Sequence, residues 1–133
     1  MCIRDREYTE RGYTVLPGFL SSDECQAVID HMMDLKMGRK TLEGFSTDGT
    51  DDIENPQTWS RTHNQHLYDP VAMDLMLHPQ LRKPLVDCFG GEPEGVQTMY
   101  FWSGSEQHWH QDQYYLPGCM SAWMALVLSL IHI

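Results

Sequence analysis

The sequence changes character once, near residue 95, and this change limits the folds that the chain can adopt. Before that point, apolar residues recur three or four positions apart, which is typical of helices that bury one face: Cys25, Val28, Ile29, Met32 and Leu35. From Val96 onward, β-branched and aromatic residues run together in VQTMYFW, HWHQDQYY and SAWMALV, separated by Gly- and Pro-containing turns. We therefore predict an α+β fold in which helices precede the first strands of a sheet.

Capping signals set the limits of the first main helix. Ser21 with Glu24 three residues later forms a capping-box pattern, so a helix should run from about Ser22 to Leu35 and end before Gly38. Upstream, the alternation around Tyr13 and Val15 predicts a short strand that leads into this helix.

Two further helices are marked by Pro at their first turn. Asp69-Pro70 predicts a short helix through Leu77, and His78-Pro79 predicts another through Phe89, stopped by Gly90-Gly91. Pro84 lies inside the second of these helices and predicts a kink or a later start.

The charge balance argues against several classes of partner. The 133 residues carry a net charge of −10, which would repel nucleic acid and anionic lipid, so we expect neither as a partner. Four scattered cysteines without a C-x-x-C pair favour reduced thiols and a cytoplasmic location. The acidic segment 47–56 lacks a glycine at the sixth position of a calcium loop, and its glutamate is not at the closing position, so we expect a solvated loop there.

One pair of residues suggests metal chemistry. On a strand, His110 and Asp112 would project from the same face, and an imidazole with a carboxylate is part of the facial triad of non-haem Fe(II) enzymes. Seven His and eleven Asp in 133 residues give about 0.6 such pairs by chance, so the pair alone is not specific.

The surroundings of this pair add specificity. HQDQYYLPG followed by SAWMAL, preceded by VQTMYFW and far upstream by RGYTVLPGFLSSDE, resembles the phytanoyl-CoA dioxygenase family of Fe(II)- and 2-oxoglutarate-dependent oxygenases. The resemblance implies a double-stranded β-helix, or jelly roll, with the N-terminal helices packed outside it.

The resemblance also implies roles for individual residues. His110 and Asp112 match two iron ligands, and Met99 and Trp123 match side chains that line the 2-oxoglutarate co-substrate. The implied reaction consumes O2 and 2-oxoglutarate, releases succinate and CO2, and hydroxylates a small-molecule substrate. Asp112 favours hydroxylation, because halogenases among the relatives have a small residue in its place.

Other polar residues near the motif have two interpretations each. His108 is either a third metal ligand or a side chain of the pocket wall, whereas Tyr114 and Tyr115 either line the substrate pocket or pack in the core. The polar segment SRTHNQH is either a ligand contact or an ordinary loop; it contains Arg61, His63, Asn64 and His66. A cupin-like metal site suggested by His108 and His110 would need a Glu between Gln111 and Tyr115, and none is present. A catalytically inactive jelly roll is the remaining alternative.

The two ends of the chain are related at the level of DNA. With a suitable choice of codons, the DNA that encodes residues 1–5 and begins codon 6 is the reverse complement of the DNA that encodes residues 128–132 and begins codon 133. This DNA resembles a transposon end used as a sequencing adapter. We therefore expect residues 1–6 and 128–133 to be translated adapter, and residues 7–127 to be the N-terminal part of one oxygenase domain.

This expectation also concerns the ligands that the motif leaves unassigned. We discount His132 as an iron ligand, because it lies within the expected adapter residues 128–133. We expect the second iron-binding His and the 2-oxoglutarate-binding Arg in strands beyond the C-terminal end. We accordingly expect the 133-residue chain by itself to be inactive. The substrate and the oligomeric state are left open.

Overall fold

The computed structural model describes residues 3–46, 51–102 and 116–127, with the side chains of residues 3–5 excepted. Four α-helices, α1 Ile3–Arg11, α2 Ser22–Lys36, α3 Pro70–Met76 and α4 Pro79–Phe89, occupy most of its first part. Two short strands, β1 Thr62–His63 and β2 Met99–Tyr100, pair in antiparallel fashion. Short 3-10 turns at Pro56–Thr58 and Gln65–Leu67 flank β1.

Helix α2 begins as its capping signals predict. The Ser21 hydroxyl accepts a hydrogen bond from the backbone N–H of Glu24, and the Glu24 carboxylate accepts one from the backbone N–H of Ser21 at 2.7 Å. Both halves of the capping box are therefore formed, and two orphan donors of the helix N-terminus are satisfied. The predicted helix of Ser22 to Leu35 is confirmed, with one more residue at its C-terminal end.

Helices α3 and α4 are also confirmed within a residue of their predicted limits. Asp69 and His78 act as N-caps through their side chains, and a proline follows each as the first helical residue. Gly90 ends α4 in the left-handed conformation with φ 75°. Pro84 lies inside a helix that begins at Pro79, so the late start considered for α4 is wrong.

The hydrophobic core forms around one face of α2. Its buried residues Val28, Met32 and Leu35 contact partly buried apolar side chains from α3, from the segments after α2 and from the strand region: Leu42, Phe45, Val71, Leu75, Tyr100, Trp102 and Leu126. This face is the stripe that the apolar spacing predicts. Packing of α2 against Tyr100 of β2 and the nearby Trp102 joins the helical part of the chain to the strand pair.

Two predicted strands are wrong. Residues 13–15 form no strand, and Tyr13 and Val15 are more than half exposed, because no neighbouring strand among the described residues pairs with them. Residues 121–127, the SAWMALV segment, likewise form no strand. A strand needs a partner, and a local pattern does not supply one.

Further predictions lie partly or wholly outside the described residues. The HWHQDQYY segment falls within residues 103–115, so its predicted strand stays a prediction, as does the double-stranded β-helix. Helix α1 crosses the expected boundary between residues 6 and 7, and the origin of residues 1–6 also stays a prediction. Within the parts of the chain that the structure covers, no helix is long and apolar enough to cross a membrane.

Candidate functional site

The predicted iron ligands His110 and Asp112 lie outside the described residues, as do His108, Tyr114 and Tyr115. In the described ranges 3–46, 51–102 and 116–127, no group of three or more His, Cys, Asp or Glu side chains is placed to hold a metal ion. What the structure does describe is the strand region that leads into residue 103 and the segment that follows residue 115.

The inner face of β2 packs on the helices. Tyr100 and Trp102 are two residues apart, so they project to the same side of an extended chain, and their rings meet at 4.9 Å. Both pack against the core face of α2. Burial raises the pKa of Tyr100 above its ordinary value, so its phenol stays protonated at neutral pH.

Of the two residues predicted to line the co-substrate, Met99 belongs to β2 and Trp123 contacts the residue that follows it. Met99 and Phe101 have the opposite parity to Tyr100, and Trp123 stacks on Phe101 with ring centroids 5.3 Å apart. Met99 is 43% exposed and Trp123 is 66% exposed. The structure thus places Met99 two residues before the Phe101–Trp123 stack, although no strand forms at Trp123.

His63 of β1 and Arg61, which precedes the strand, lie near these residues. His63 is the Cα partner of Met99, and residues opposite each other in an antiparallel pair share a face. Arg61 is two residues before His63 and lies over the Phe101 ring, 5.9 Å from its centroid. Thr62 faces the other way and donates a hydrogen bond to Gln65 Oε1 at 3.1 Å.

A pocket of about 360 Å³ opens beside β1. Its walls are mainly polar and combine the end of α2, the segment after it, β1 and the following turn, through Lys36, Phe45, Ser46, Asp51, Ser60, Arg61, Thr62, His63 and Tyr68. Burial is the main cause of a raised pKa of Tyr68, and the nearby Asp69 charge adds to it. The Tyr68 phenol therefore keeps its proton at neutral pH.

A buried ion pair forms one wall of this pocket. Lys36 Nζ donates to Asp51 Oδ2, and both side chains are almost fully buried, 3% and 4% exposed. Asp51 Oδ1 accepts from the backbone N–H of Ser60 at 2.9 Å and from its hydroxyl at 3.1 Å. The hydrogen bond from Lys36, followed by that from Ser60, lowers the pKa of Asp51 despite burial.

The burial of Asp51 corrects the prediction of a solvated acidic loop at this residue. Lys36 Nζ also lies 5.2 Å from the ring centroids of Trp59 and Trp102, a distance at which cation–π attraction contributes. The sequence contained a signal for this arrangement: Lys36 comes four residues after Met32, on the apolar stripe of α2, where an unpaired charge is costly.

The polar segment SRTHNQH divides between two environments. Arg61 and His63 are exposed and line the pocket, whereas His66 is buried and its Nδ1 lies 2.9 Å from the hydroxyl of Thr98. Asn64 adopts the left-handed conformation with φ 54° and turns the chain after β1. The ligand-contact interpretation stays a prediction for Arg61 and His63, whereas the buried His66 contacts the protein itself.

A second buried network lies under α2 and supports the site. Asp69 Oδ2 lies 2.8 Å from His31 Nε2 and also accepts from Gln65, while Asp69 Oδ1 accepts from the backbone N–H of Val71 at 3.0 Å. Burial acts to raise the pKa of Asp69, but these hydrogen bonds outweigh it and lower the pKa. The network fastens the Gln65–Leu67 turn to α2.

Comparison with known proteins gives two matches. The sequence profile described as phytanoyl-CoA dioxygenase matches residues 8–129. A protein of Stutzerimonas stutzeri named as a probable alpha-ketoglutarate-dependent hypophosphite dioxygenase is 24% identical over 134 residues. That alignment covers 96% of this chain and 46% of the relative, so the chain spans less than half of the relative's length.

No solved structure matches the chain significantly. The family profile, by contrast, extends over almost the whole chain and includes the HQDQYY motif, both faces of β2 and the cap of α2. The chain belongs to the phytanoyl-CoA dioxygenase family.

Proposed function

We propose that this chain is the N-terminal part of an Fe(II)- and 2-oxoglutarate-dependent dioxygenase that hydroxylates a small molecule with release of succinate and CO2. The observation that carries the proposal is the family match over residues 8–129, which contains His110 and Asp112 at the spacing of two iron ligands. The name of the Stutzerimonas stutzeri relative supports the use of 2-oxoglutarate.

The donor chemistry of the motif fits the metal. A neutral imidazole and a carboxylate two residues apart on an extended chain are donors that suit Fe(II), with positions left for small ligands. In this proposal His110 and Asp112 hold the iron, and a second His from outside residues 1–127 completes the set. Bound iron and 2-oxoglutarate would supply the oxidising chemistry that protein side chains lack.

The described residues would shape the site rather than react. Met99 and Phe101 lie just before residues 103–115, and Trp123, which follows them, stacks on Phe101, so this part of the chain offers apolar surface next to polar side chains. Such a surface excludes water and holds a bound molecule in one orientation. The inner face fixes the strand, since Tyr100 and Trp102 are anchored on α2.

Single substitutions in the motif test the proposal. In the complete protein that contains this chain, His110→Ala and Asp112→Ala should each abolish Fe(II)-dependent formation of succinate from 2-oxoglutarate and weaken Fe(II) binding measured by calorimetry. His108→Ala is the matched control, because it removes an imidazole two residues away that the motif does not assign to iron. Equal Fe(II) affinity in the parent and in both ligand variants would contradict the proposal.

The isolated 133-residue chain is proposed to be inactive, because it supplies two of the three protein ligands that a facial triad needs. Succinate formation by the purified chain with Fe(II) and 2-oxoglutarate would overturn this statement. A cytoplasmic location is part of the proposal and is supported only by the scattered cysteines.

The name of the Stutzerimonas stutzeri relative suggests which substrates to test first. That name specifies hypophosphite, a small phosphorus oxyanion. At 24% identity this name does not assign a substrate here, but it makes small oxyanions the first compounds to assay with the complete protein.

A further inference from the structure

We propose that a proton on His31 is a switch that decides whether Lys40 holds the segment after α2, residues 37–42, against the helix. The proposal goes beyond the proposed function, since it concerns the conformation of the chain and its test needs no enzyme activity. It starts from a histidine whose two ring nitrogens have partners of opposite charge.

The His31 ring lies between a carboxylate and an ammonium group. Its Nε2 is 2.8 Å from Asp69 Oδ2, and its Nδ1 is 3.0 Å from Lys40 Nζ. The side chains of His31 and Asp69 are 9% and 1% exposed, whereas Lys40 lies at the surface. One partner of the ring is therefore fixed inside the protein, and the other is free to move into water.

These two partners determine where the ring carries its proton. An ammonium group has donors and no acceptor, so Lys40 donates to Nδ1, and Nδ1 has no proton of its own. Burial acts to raise the pKa of Asp69, but its hydrogen bonds outweigh burial and lower the pKa, so the carboxylate is ionised at neutral pH. It accepts a hydrogen bond from Nε2–H. His31 in this arrangement is the neutral Nε2–H tautomer.

A second proton on the ring is compatible with Asp69 but not with Lys40. It places an N–H on Nδ1 and a positive charge on the ring, so that two donors and two like charges face each other across 3.0 Å. Lys40 then leaves, and Nδ1–H donates to water in its place. The same charge strengthens the hydrogen bond to Asp69. Uptake of one proton therefore replaces one partner of the ring and keeps the other.

The other titratable groups near the ring are already engaged. On α2, Asp34 lies three residues after His31, on the same side of the helix, and pairs with Arg39 at 2.7 Å. Beside the N-cap of α3, the phenol of Tyr68 keeps its proton, because burial raises its pKa and the Asp69 charge adds to this. In the part of the chain that the structure describes, the response to a charge on the ring therefore falls to its two contacting groups.

Release of Lys40 acts on the chain that leads to the pocket. Lys40 reaches back to a ring nine residues earlier on α2. The segment that it fastens continues to Leu42 and Phe45, which pack against the core face of α2, and Phe45 also lines the pocket beside β1. A contact that depends on protonation therefore lies next to one wall of this pocket.

The test follows His31 and Lys40 by NMR as the pH is lowered, in the complete protein that contains this chain, labelled with 15N-histidine and 13C-lysine. Long-range 1H–15N spectra report which ring nitrogen carries a proton. His31→Gln and Lys40→Met identify the signals, and the exposed Lys40→Met suffices if His31→Gln does not fold. Lys83, which pairs with Asp87 on α4, is the matched control.

Above the midpoint of the His31 titration, Nδ1 should be unprotonated, and a nuclear Overhauser contact should join the Lys40 ε-methylene to the ring. Below the midpoint, Nδ1 should carry a proton, this contact should be lost, and the Lys40 signal should shift together with the ring signals. The Lys83 signal should not follow that midpoint. A proton on Nδ1 above the midpoint, a Lys40 contact that persists below it, or a ring that does not titrate in the folded protein overturns the proposal.

A double-mutant cycle distinguishes a switch from a contact that is merely structural. Urea unfolding of the parent, His31→Gln, Lys40→Met and the double variant gives the coupling free energy between the two residues at a pH on each side of the midpoint. The coupling should be favourable above the midpoint and lost or reversed below it. The matched cycle on Asp34 and Arg39 should keep its sign. A coupling between His31 and Lys40 that is equal at both pH values would count against the switch.

Discussion

Among the residues that the structure describes, Asp69 has the smallest exposed fraction of the buried polar side chains, 1%, and it makes three contacts at once. It caps α3 through the backbone N–H of Val71, it contacts His31 on α2, and it accepts a hydrogen bond from Gln65. The sequence predicts the first contact from the Asp-Pro pair. It gives no sign of the other two, because His31 lies 38 residues away and only the folded chain brings it near.

Replacing Asp69 by Ala should destabilise the protein by about 3 kcal/mol, since the variant loses an N-cap and leaves buried polar groups on His31 and Gln65 unsatisfied. Urea unfolding followed by tryptophan fluorescence measures this change. Asp74→Ala is the matched control, as an exposed acid of the same helix, and should change stability by less than about 0.5 kcal/mol. A similar effect of both substitutions would contradict the network.

The same carboxylate predicts a pH dependence. Because the pKa of Asp69 is lowered in the folded state, its contribution to stability is present above the pKa of an unfolded aspartate, about 3.9, and is lost as pH falls through the lower folded value. The difference in unfolding free energy between the parent and Asp69→Asn should therefore be constant between about pH 5 and pH 7 and shrink below about pH 4. Asp74→Asn controls for the general loss of one negative charge.

At the scale of elements, the helices follow from local chemistry. A capping box at Ser21, Asp-Pro and His-Pro pairs, and Gly90 act within a few residues of the chain, so their patterns predict three helices within one residue of the observed ends. Strands do not share this property. The Tyr13–Val15 alternation resembles that of β2, yet only β2 has a partner among the described residues.

Gly90 offers a test of how a single residue determines the end of a helix. It ends α4 at φ 75°, and a Cβ built on it would meet nothing within 4 Å, so Gly90→Ala should cost about 1 kcal/mol through backbone strain alone. Gly91→Ala is the matched control, because its Cβ also meets nothing and its φ is not in the left-handed region. Thermal unfolding compares the two, and an equal shift in Tm would exclude backbone strain as the cause.

At the scale of the whole molecule, the fold joins two parts that the sequence predicts separately. The helical part was predictable because α2 carries its own apolar stripe. The β-branched and aromatic runs from Val96 onward were recognisable as the start of a sheet. The pairing of β1 with β2 was not, because Thr62 and Tyr100 are far apart in sequence and β1 has only two residues. The same contrast holds for the candidate site. The HxD motif was predictable from the sequence, whereas the pocket at Arg61 was not, because it is formed by three separate segments of the chain.

The buried Lys36–Asp51 pair lies where these parts meet, since it links the end of α2 to the segment before β1 and contacts both Trp59 and Trp102. Lys36→Met should lower stability strongly, because it leaves the Asp51 carboxylate buried without its cation. The double variant Lys36→Met/Asp51→Asn should recover part of the loss, because the uncompensated charge is then removed.

A second cycle on Lys83 and Asp87, an i,i+4 pair on α4 whose lysine is 77% exposed, is the matched control for this prediction. Urea unfolding of all single and double variants gives the two coupling free energies. The coupling for Lys36 and Asp51 should clearly exceed that for Lys83 and Asp87, because solvent and salt screen an exposed pair and not a buried one. Equal couplings would mean that the Lys36–Asp51 pair is as well solvated as a surface pair, and that it does not fasten α2 to the segment before β1.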